Sequence, residues 1–426
     1  MNKLPIVIGK SITFICRSLN LGQGSTWPGH IALLLNPNFI KDTLKKTETK
    51  IILVAGTNGK TTTGKLIKSI LQESGKRVFL NQSGANLLNG IASAIISASE
   101  LSGRLKRGYA IFEVDENTLP LILNQITPDY LIALNLFRDQ LDRYGEIDKI
   151  ARTWKKSFDN LTSSSTLVLN ADDPLISFLS ESTSAKVVFF GLNNDQFVTN
   201  DEQNAADSIY CLYCGSKLSY RKIFFSHLGD WSCTNCGHKR PVLNISESGK
   251  SFLSGTYNVY NVLASTLLSQ VIGIKKTDVE KSIAAFKPAF GRQEIIRKGD
   301  KEVQIFLSKN PTSFNESLKT IQQLGGKNLL IVLNDRIPDG KDISWIWDTN
   351  IEFLSKGIKN ISVSGDRAHE MALRMKYAGL ENFLVEPNLE KAIEKTLISA
   401  TGSLYILPTY SAMLEARKIL TGRKIL

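Results

Sequence analysis

The segment that most narrows the possible folds is a short apolar run, Lys50-Ile51-Ile52-Leu53-Val54-Ala55, followed by Gly56-Thr57-Asn58-Gly59-Lys60-Thr61-Thr62 and then by Leu66, Ile67, Ile70 and Leu71 at helical spacing. The pattern predicts a buried parallel strand, a glycine-rich turn and an amphipathic helix. Such a unit supplies what a polyphosphate needs: glycines that let backbone N–H groups approach oxygen, a lysine to neutralise charge, and a hydroxyl for Mg²⁺. The loop is a variant, because the usual spacing puts glycine at position 54, where Val54 stands. Gly56, Thr57, Asn58, Gly59, Lys60, Thr61 and Thr62 are therefore the candidate ATP-binding residues.

The alternation recurs along the chain. Apolar runs at Tyr109–Val114, Tyr130–Leu134, Thr166–Leu169 and Val187–Phe190 are separated by segments long enough for helices, which predicts an α/β domain with a parallel sheet covered on both faces. Residues 46–294 are read as this central domain. A second βα series, with strands expected near 302–307, 328–333, 360–363, 383–385 and 403–407, makes residues 295–426 a separate C-terminal Rossmann-like α/β domain. Residues 1–45 read as an irregular N-terminal arm. Between about 205 and 245 the rhythm gives way to polar loops and paired cysteines, an insertion in the central domain.

Cys211-x2-Cys214 and Cys233-x2-Cys236, with 18 residues between the pairs, match a Cys₄ zinc ribbon, in which two turns supply four thiolates to a closed tetrahedral shell. A closed shell leaves no open coordination position, so the predicted role of zinc is structural. Cys16 is left over and reads as a small hydrophobe.

Hydrophobic residues at 42% and charged residues at 22% exclude a disordered chain, while the net charge of +12 suits an anionic partner or substrate. No run reaches the roughly 18 apolar residues that span a bilayer, which predicts a cytoplasmic protein. The opening stretch, with Ile6, Ile8, Ile12, Phe14 and Ile15, is open to two uses, a docked arm or a segment lying on a membrane surface.

Several further segments, in order, resemble the Mur ligase superfamily from about residue 45 onward. Phe112-Glu113-Val114-Asp115-Glu116 resembles the acidic strand end that places a carboxylate on Mg²⁺, and Glu113 is the candidate beside Thr61. Asn135-Leu136-Phe137-Arg138-Asp139-Gln140-Leu141-Asp142 resembles a segment in which histidine usually stands where Gln140 does. Asn170-Ala171-Asp172-Asp173-Pro174 resembles a nucleotide-side turn. Gly255-Thr256-Tyr257-Asn258-Val259-Tyr260-Asn261 resembles the segment whose asparagines read adenine, with Asn261 the likelier reader and helix capping the other use of Asn258. Gly291-Arg292-Gln293-Glu294 sits where the superfamily keeps an arginine on the terminal phosphate. In Leu307-Ser308-Lys309-Asn310-Pro311-Thr312, Lys309 stands in a histidine's place, facing either a substrate carboxylate or solvent.

Within the superfamily the departures resemble the branch of isoglutaminyl synthase synthetase subunits. That resemblance implies ATP- and Mg²⁺-dependent activation of a carboxylate as an acyl phosphate, with Lys60, Glu113, Arg292 and Lys309 at the reacting end. The carboxylate would be the D-glutamate α-carboxyl of the lipid II stem peptide, at the inner face of the cell membrane. No cysteine here sits in a glutaminase context, so ammonia is expected from a GatD-type glutamine amidotransferase subunit. Asp348, in Pro338-Asp339-Gly340-Lys341-Asp342-Ile343-Ser344-Trp345-Ile346-Trp347-Asp348, is the candidate third member of a triad split between the two chains, a packed loop being the plainer use of that segment. Two other functions fit parts of the pattern. An amino-acid-adding ligase of the folylpolyglutamate type would usually keep the histidine that Gln140 displaces, and a zinc-ribbon nucleic-acid-dependent NTPase lacks an aromatic-interleaved basic stripe.

Overall fold

The computed structural model describes residues 3–18, 26–45, 47–82, 84–105, 107–139, 146–199, 207–247, 254–286, 291–355 and 357–422. Three helices open the chain: α1 (Lys3–Ser18), α2 (Trp27–Leu35) and α3 (Phe39–Leu44). The central unit follows with β1 (Lys50–Ala55), α4 (Lys60–Glu73), β2 (Val78–Leu80), α5 (Leu88–Ala98), β3 (Tyr109–Val114), α6 (Thr118–Leu123), β4 (Tyr130–Ala133), α7 (Ile147–Asp159), β5 (Thr166–Asn170) and β6 (Lys186–Phe190). A hairpin of β7 (Leu218–Phe225) and β8 (Leu228–Cys233) precedes α8 (Thr256–Ile272) and α9 (Lys276–Ala285). The C-terminal unit contains β9 (Arg292–Lys298), β10 (Lys301–Phe306), α10 (Pro311–Gln323), β11 (Asn328–Val332), β12 (Asn360–Ser364), α11 (Ala368–Tyr377), β13 (Leu384–Val385), α12 (Leu389–Ser399), β14 (Leu404–Pro408) and α13 (Tyr410–Thr421).

The first sheet has the order β2-β3-β1-β4-β5-β6 and is parallel throughout. Its strands read as unbroken apolar runs because both faces are buried. Ile51, Leu53 and Ala55 join one core with residues of α5, α6 and α7 such as Ile91, Leu119 and Trp154, whereas Ile52 and Val54 join another with Ile67, Leu263 and Phe224. This is the period-two alternation of a strand, with both sets apolar. After β1 the chain moves first to one side and later to the other. The carboxyl end of β1 is thus a topological switch point, where α/β sheets place their ligands.

Most described residues of the segment expected to be an irregular arm are helical. Pro5 and the β-branched run after it argue against a helix by sequence, but Pro5 falls in the first turn, where a missing N–H costs nothing. Ile6 is fully buried, and Gly9 lies so close to Ile96 of α5 that a Cβ there would come within 2.8 Å of it. Tertiary packing overrides local preference here.

The second sheet, β13-β12-β11-β14-β10-β9, is parallel except for β9, which runs antiparallel to β10. Because β9 begins at Arg292, the boundary expected at residue 295 falls inside this strand. Its sequence, Arg-Gln-Glu-Ile-Ile-Arg-Lys, hides it: charged edge strands carry little of the apolar signature.

Trp154 is fully buried and its indole N–H donates to the Glu116 carbonyl at 2.8 Å. Trp154→Ala is expected to destabilise the central unit by roughly 3–5 kcal/mol, read as an earlier midpoint in urea titration; an unchanged midpoint would mean that the ring contributes no packing.

Candidate functional site

The glycine-rich loop leaves β1 through Gly56, at φ 139°, and enters α4 through Gly59, at φ 91°, conformations that side-chain-bearing residues rarely adopt. Glycine at 59 is required twice over, since a Cβ there would lie 2.2 Å from the Asn261 side-chain oxygen. The loop is held from three directions. The Asn58 N–H donates to Asn135 Oδ1 at 2.9 Å while Asn135 Nδ2 donates to the Asn58 carbonyl at 3.1 Å. Thr57 Oγ1 accepts from the Phe137 N–H at 3.1 Å and donates to the Phe137 carbonyl at 3.2 Å. From α8, Asn261 Oδ1 accepts from Thr63 Oγ1 at 3.2 Å.

Lys60 is buried over this loop. Its ammonium donates to the Gly56 carbonyl, to the Thr57 carbonyl at 3.3 Å and to Glu116 Oε2 at 3.3 Å. Thr61 Oγ1 donates to Glu113 Oε2 at 2.7 Å, so a hydroxyl and a carboxylate, the hard oxygen donors that Mg²⁺ takes, sit side by side at the start of α4. Glu113 is itself fixed at the end of β3: its N–H donates to Asn81 Oδ1 at 2.8 Å, and Asn81 Nδ2 donates back to its carbonyl at 3.0 Å. Thr62 is buried beside them in the first turn.

Glu116 escaped the sequence reading. It stands three residues after Glu113, at the turn that follows β3, and is buried with one oxygen on Lys60. Burial pushes its carboxyl up, but Lys60 and then Lys309 outweigh that and hold it below the usual carboxylate range. The acidic run Asp115-Glu116 was the available signal. Asn135 and Asp139 escaped too, for reasons visible only in three dimensions.

Lys309 comes from the C-terminal unit and donates to Asp139 Oδ2 in the central one. Beside it Asn310 caps α10 through Ser313 and places Nδ2 at 3.5 Å from Asn58 Oδ1. Asp348, at the end of a 3₁₀ turn over Ser344–Asp348, lies 3.5 Å from the Arg138 guanidinium and keeps 43% of its side chain exposed. Asn258 and Asn261, expected on the adenine side, lie together beneath the loop. Asn261 Nδ2 donates to Asn258 Oδ1 at 3.2 Å, and Asn258 Nδ2 donates to the Ser254 carbonyl at 2.7 Å. The Arg292 backbone pairs with Phe306, while its side chain and the whole of residues 140–145, including Gln140, lie outside the described residues.

The four cysteines converge. Their sulfurs all lie within 4.8 Å of one another, with Cys211 Sγ–Cys236 Sγ at 3.6 Å and Cys214 Sγ–Cys233 Sγ at 3.5 Å. A tetrahedral zinc with bonds of about 2.3 Å requires sulfur–sulfur edges of about 3.8 Å, so the set fits that ion. Gly215 and Gly237, at φ 75° and 78°, let each turn close behind its pair. The ribbon is strapped to the central unit. Trp231 Nε1 donates to the Ala171 carbonyl at 3.0 Å, and the Arg240 guanidinium lies 2.6 Å from buried Asp172, which also accepts from Tyr260 Oη at 2.7 Å. Burial pushes the Asp172 carboxyl up to about 6, against the pull of Arg240.

The description "Mur ligase middle domain" matches residues 54–269, and "MurT ligase C-terminal" matches residues 307–413. A lipid II isoglutaminyl synthase (glutamine-hydrolyzing) subunit MurT from Staphylococcus aureus strain COL is 32% identical over 410 residues, which is 92% of this chain and 91% of that one. The chain belongs to the MurT family of Mur ligases. A MurT subunit from Streptococcus pneumoniae R6 is likewise 32% identical, over 99% of this chain and 97% of that one. The Mur fold is also that of a pseudomurein peptide ligase type C from Methanothermus fervidus, at a TM-score of 0.68 and 23% identity over 90% of this chain and 81% of that one. Membership in a Mur ligase family implies use of ATP.

Gly59→Ala sets a methyl against the Asn261 amide and forces a strained φ. It is expected to weaken ATP retention by at least about tenfold and to lower the melting temperature, measured by thermal scan and by equilibrium dialysis at a temperature where the variant stays folded. Retention at the parental level would show that the loop has room the geometry denies it.

Proposed function

We propose that this chain is the synthetase subunit of a lipid II isoglutaminyl synthase, which converts the D-glutamate α-carboxyl of the stem peptide to the amide at the cytoplasmic face of the membrane. The observation that carries the reading is the meeting of Lys60, Thr61, Glu113 and Glu116 on one side with Lys309 from the other unit, in a chain similar over nearly its full length to MurT subunits.

In this reading a carboxylate oxygen of the substrate attacks the γ-phosphorus of ATP and ADP leaves, forming an acyl phosphate. Ammonia then attacks the acyl carbon, inorganic phosphate leaves with its bonding pair, and a proton is released to solvent. Lys60 and the loop amides would hold the phosphates, and Thr61 with Glu113 would hold Mg²⁺, which would supply neutralisation of the phosphate charge. Arg292 is assigned to the γ-phosphate, where its planar fork suits a transferring phosphoryl group. Lys309 is assigned to the substrate carboxylate or acyl phosphate; it precedes Asn310, which reaches Asn58 of the loop. Asn258 and Asn261 remain the nucleotide-side pair, with Asn261 also fixing the loop from behind. The zinc ribbon has a structural role.

Ammonia comes from a GatD-type glutaminase, and Asp348 orients that partner's catalytic histidine. What supports the placement is the surface around it. Asp348 is half-exposed, Trp347 beside it is half-exposed and meets exposed Tyr377 edge-on at 5.4 Å, and Arg374 lies over the Trp347 ring at 5.7 Å. Exposed tryptophan and tyrosine with an arginine beside them are enriched at the centre of protein interfaces.

The deciding test uses the chain purified with its glutaminase partner, lipid II, ATP, Mg²⁺ and glutamine, with mass spectrometry of the product. The expected result is the small mass decrease that replaces hydroxyl by amine, lowered by at least roughly 10²- to 10³-fold in Lys60→Ala; amino-acid addition to the substrate would instead establish an amino-acid-adding ligase. Asp348→Asn should cut glutamine-driven amidation by roughly 10³-fold or more while ammonium-driven amidation persists. Equal loss with both nitrogen sources would remove Asp348 from the partner's triad.

A further inference from the structure

The first two helices each bury a narrow face and leave an apolar one uncovered. In α1, Pro5, Ile6 and Gly9 are the buried positions, Gly9 lying against Ile96 of α5. At 3.6 residues per turn Leu4, Val7, Phe14 and Ile15 fall on the opposite side, and Phe14 is 72% exposed. In α2, Pro28, Gly29 and Ala32 are the buried positions, and the Gly29 N–H donates to Ser93 Oγ of α5 at 2.8 Å. Trp27 and Leu34 lie on the far side, with Leu34 70% exposed, and half-exposed Leu35 lies on the flank. Both stripes thus face away from the same supporting helix. Exposed Leu101 belongs to the loop that packs on the start of α1, where Gly103 lies against Ile6 and Lys3.

The segments that carry these stripes are net basic, and exposed Lys3, Arg104 and Arg107 stand at the start of α1 and in the loop packed on it. The first fifty residues hold seven Lys or Arg and two Asp or Glu, and the segment between α5 and β3 adds Arg104, Lys106 and Arg107 against Glu100. A protein interface depletes lysine at its core. An anionic lipid surface favours this composition, with apolar side chains and a tryptophan at headgroup depth and basic side chains around them. No helix among the described residues is long and apolar enough to cross a membrane.

We infer that the outer faces of α1 and α2 form a docking surface for an anionic lipid bilayer. The inference gains its purpose from the proposed lipid-linked substrate, because docking would bring the catalytic units into the plane where that substrate is held, but its physical basis is independent of the reaction.

The test is flotation of the full chain with its glutaminase partner on vesicles lacking lipid II, made either of phosphatidylcholine alone or with phosphatidylglycerol. The complex should float with the anionic vesicles and be released by salt. Phe14→Glu with Leu34→Glu, and Phe14→Ser with Leu34→Ser as a pair without added charge, should lower the bound fraction at least about tenfold, with melting temperature and activity on a water-soluble headgroup substrate unchanged. Equal flotation of parent and variants, no flotation of the parent, or variants that shed the partner or break a homodimer on a sizing column would each overturn the inference. Flotation intact with no activity on the soluble substrate would sink the amidation reading and leave the docking surface standing.

Discussion

The structure is organised around a contact that only glycine permits, the Asn261 amide oxygen pressed against Gly59. With Asn135 bracketing Asn58 and Thr57 exchanging hydrogen bonds with Phe137, the loop's shape is set by the protein itself. A loop ordered in advance does not spend binding free energy on its own ordering. Asn261 also ties α8 to α4, since it receives the hydroxyl of Thr63 beside the apolar packing of Val262 on Leu66 and Ile70.

Three consecutive residues carry that order outward. Phe137 bonds to the loop through Thr57, Arg138 pairs with Asp348, and Asp139 receives Lys309. One short segment after β4 therefore touches the phosphate loop and two separate parts of the C-terminal unit. Arg138 is anchored a second time, its N–H donating to Asp207 at 2.8 Å. Rigid contact along the chain is the simplest physical link between neighbouring chemistries.

Much of the scaffold was legible because strand, turn and helix announce themselves through periodicity. Ile51 to Ala55 are apolar without interruption because both faces of β1 are covered, and the two Cys-x2-Cys pairs have a spacing that few structures other than a metal ribbon require. What escaped depends on distant partners. Glu116 matters through Lys60, 56 positions away, and Lys309 meets Asp139 across 170 positions. No local pattern encodes either meeting. The N-terminal helices were hidden by Pro5 and a β-branched run, and β9 by its charged edge composition. The resemblance supplied the family, but the burial of Asn258 and Asn261 beneath the loop is a fact of geometry that neither resemblance nor composition contained.

The hairpin that carries the cysteines leaves the sheet just after Phe190, and the chain comes back to pair at Ile245, bridging to that same Phe190. The Asn244 N–H donates to the Phe189 carbonyl at 2.8 Å, and Gly191 N–H to the Ile245 carbonyl at 3.2 Å. An excursion whose two ends are already fastened to each other has paid its closure entropy locally, and lengthening it adds little more. Such a seam is where an ancestral ligase can gain or shed a whole cassette while β6 and the strands behind it stay in register.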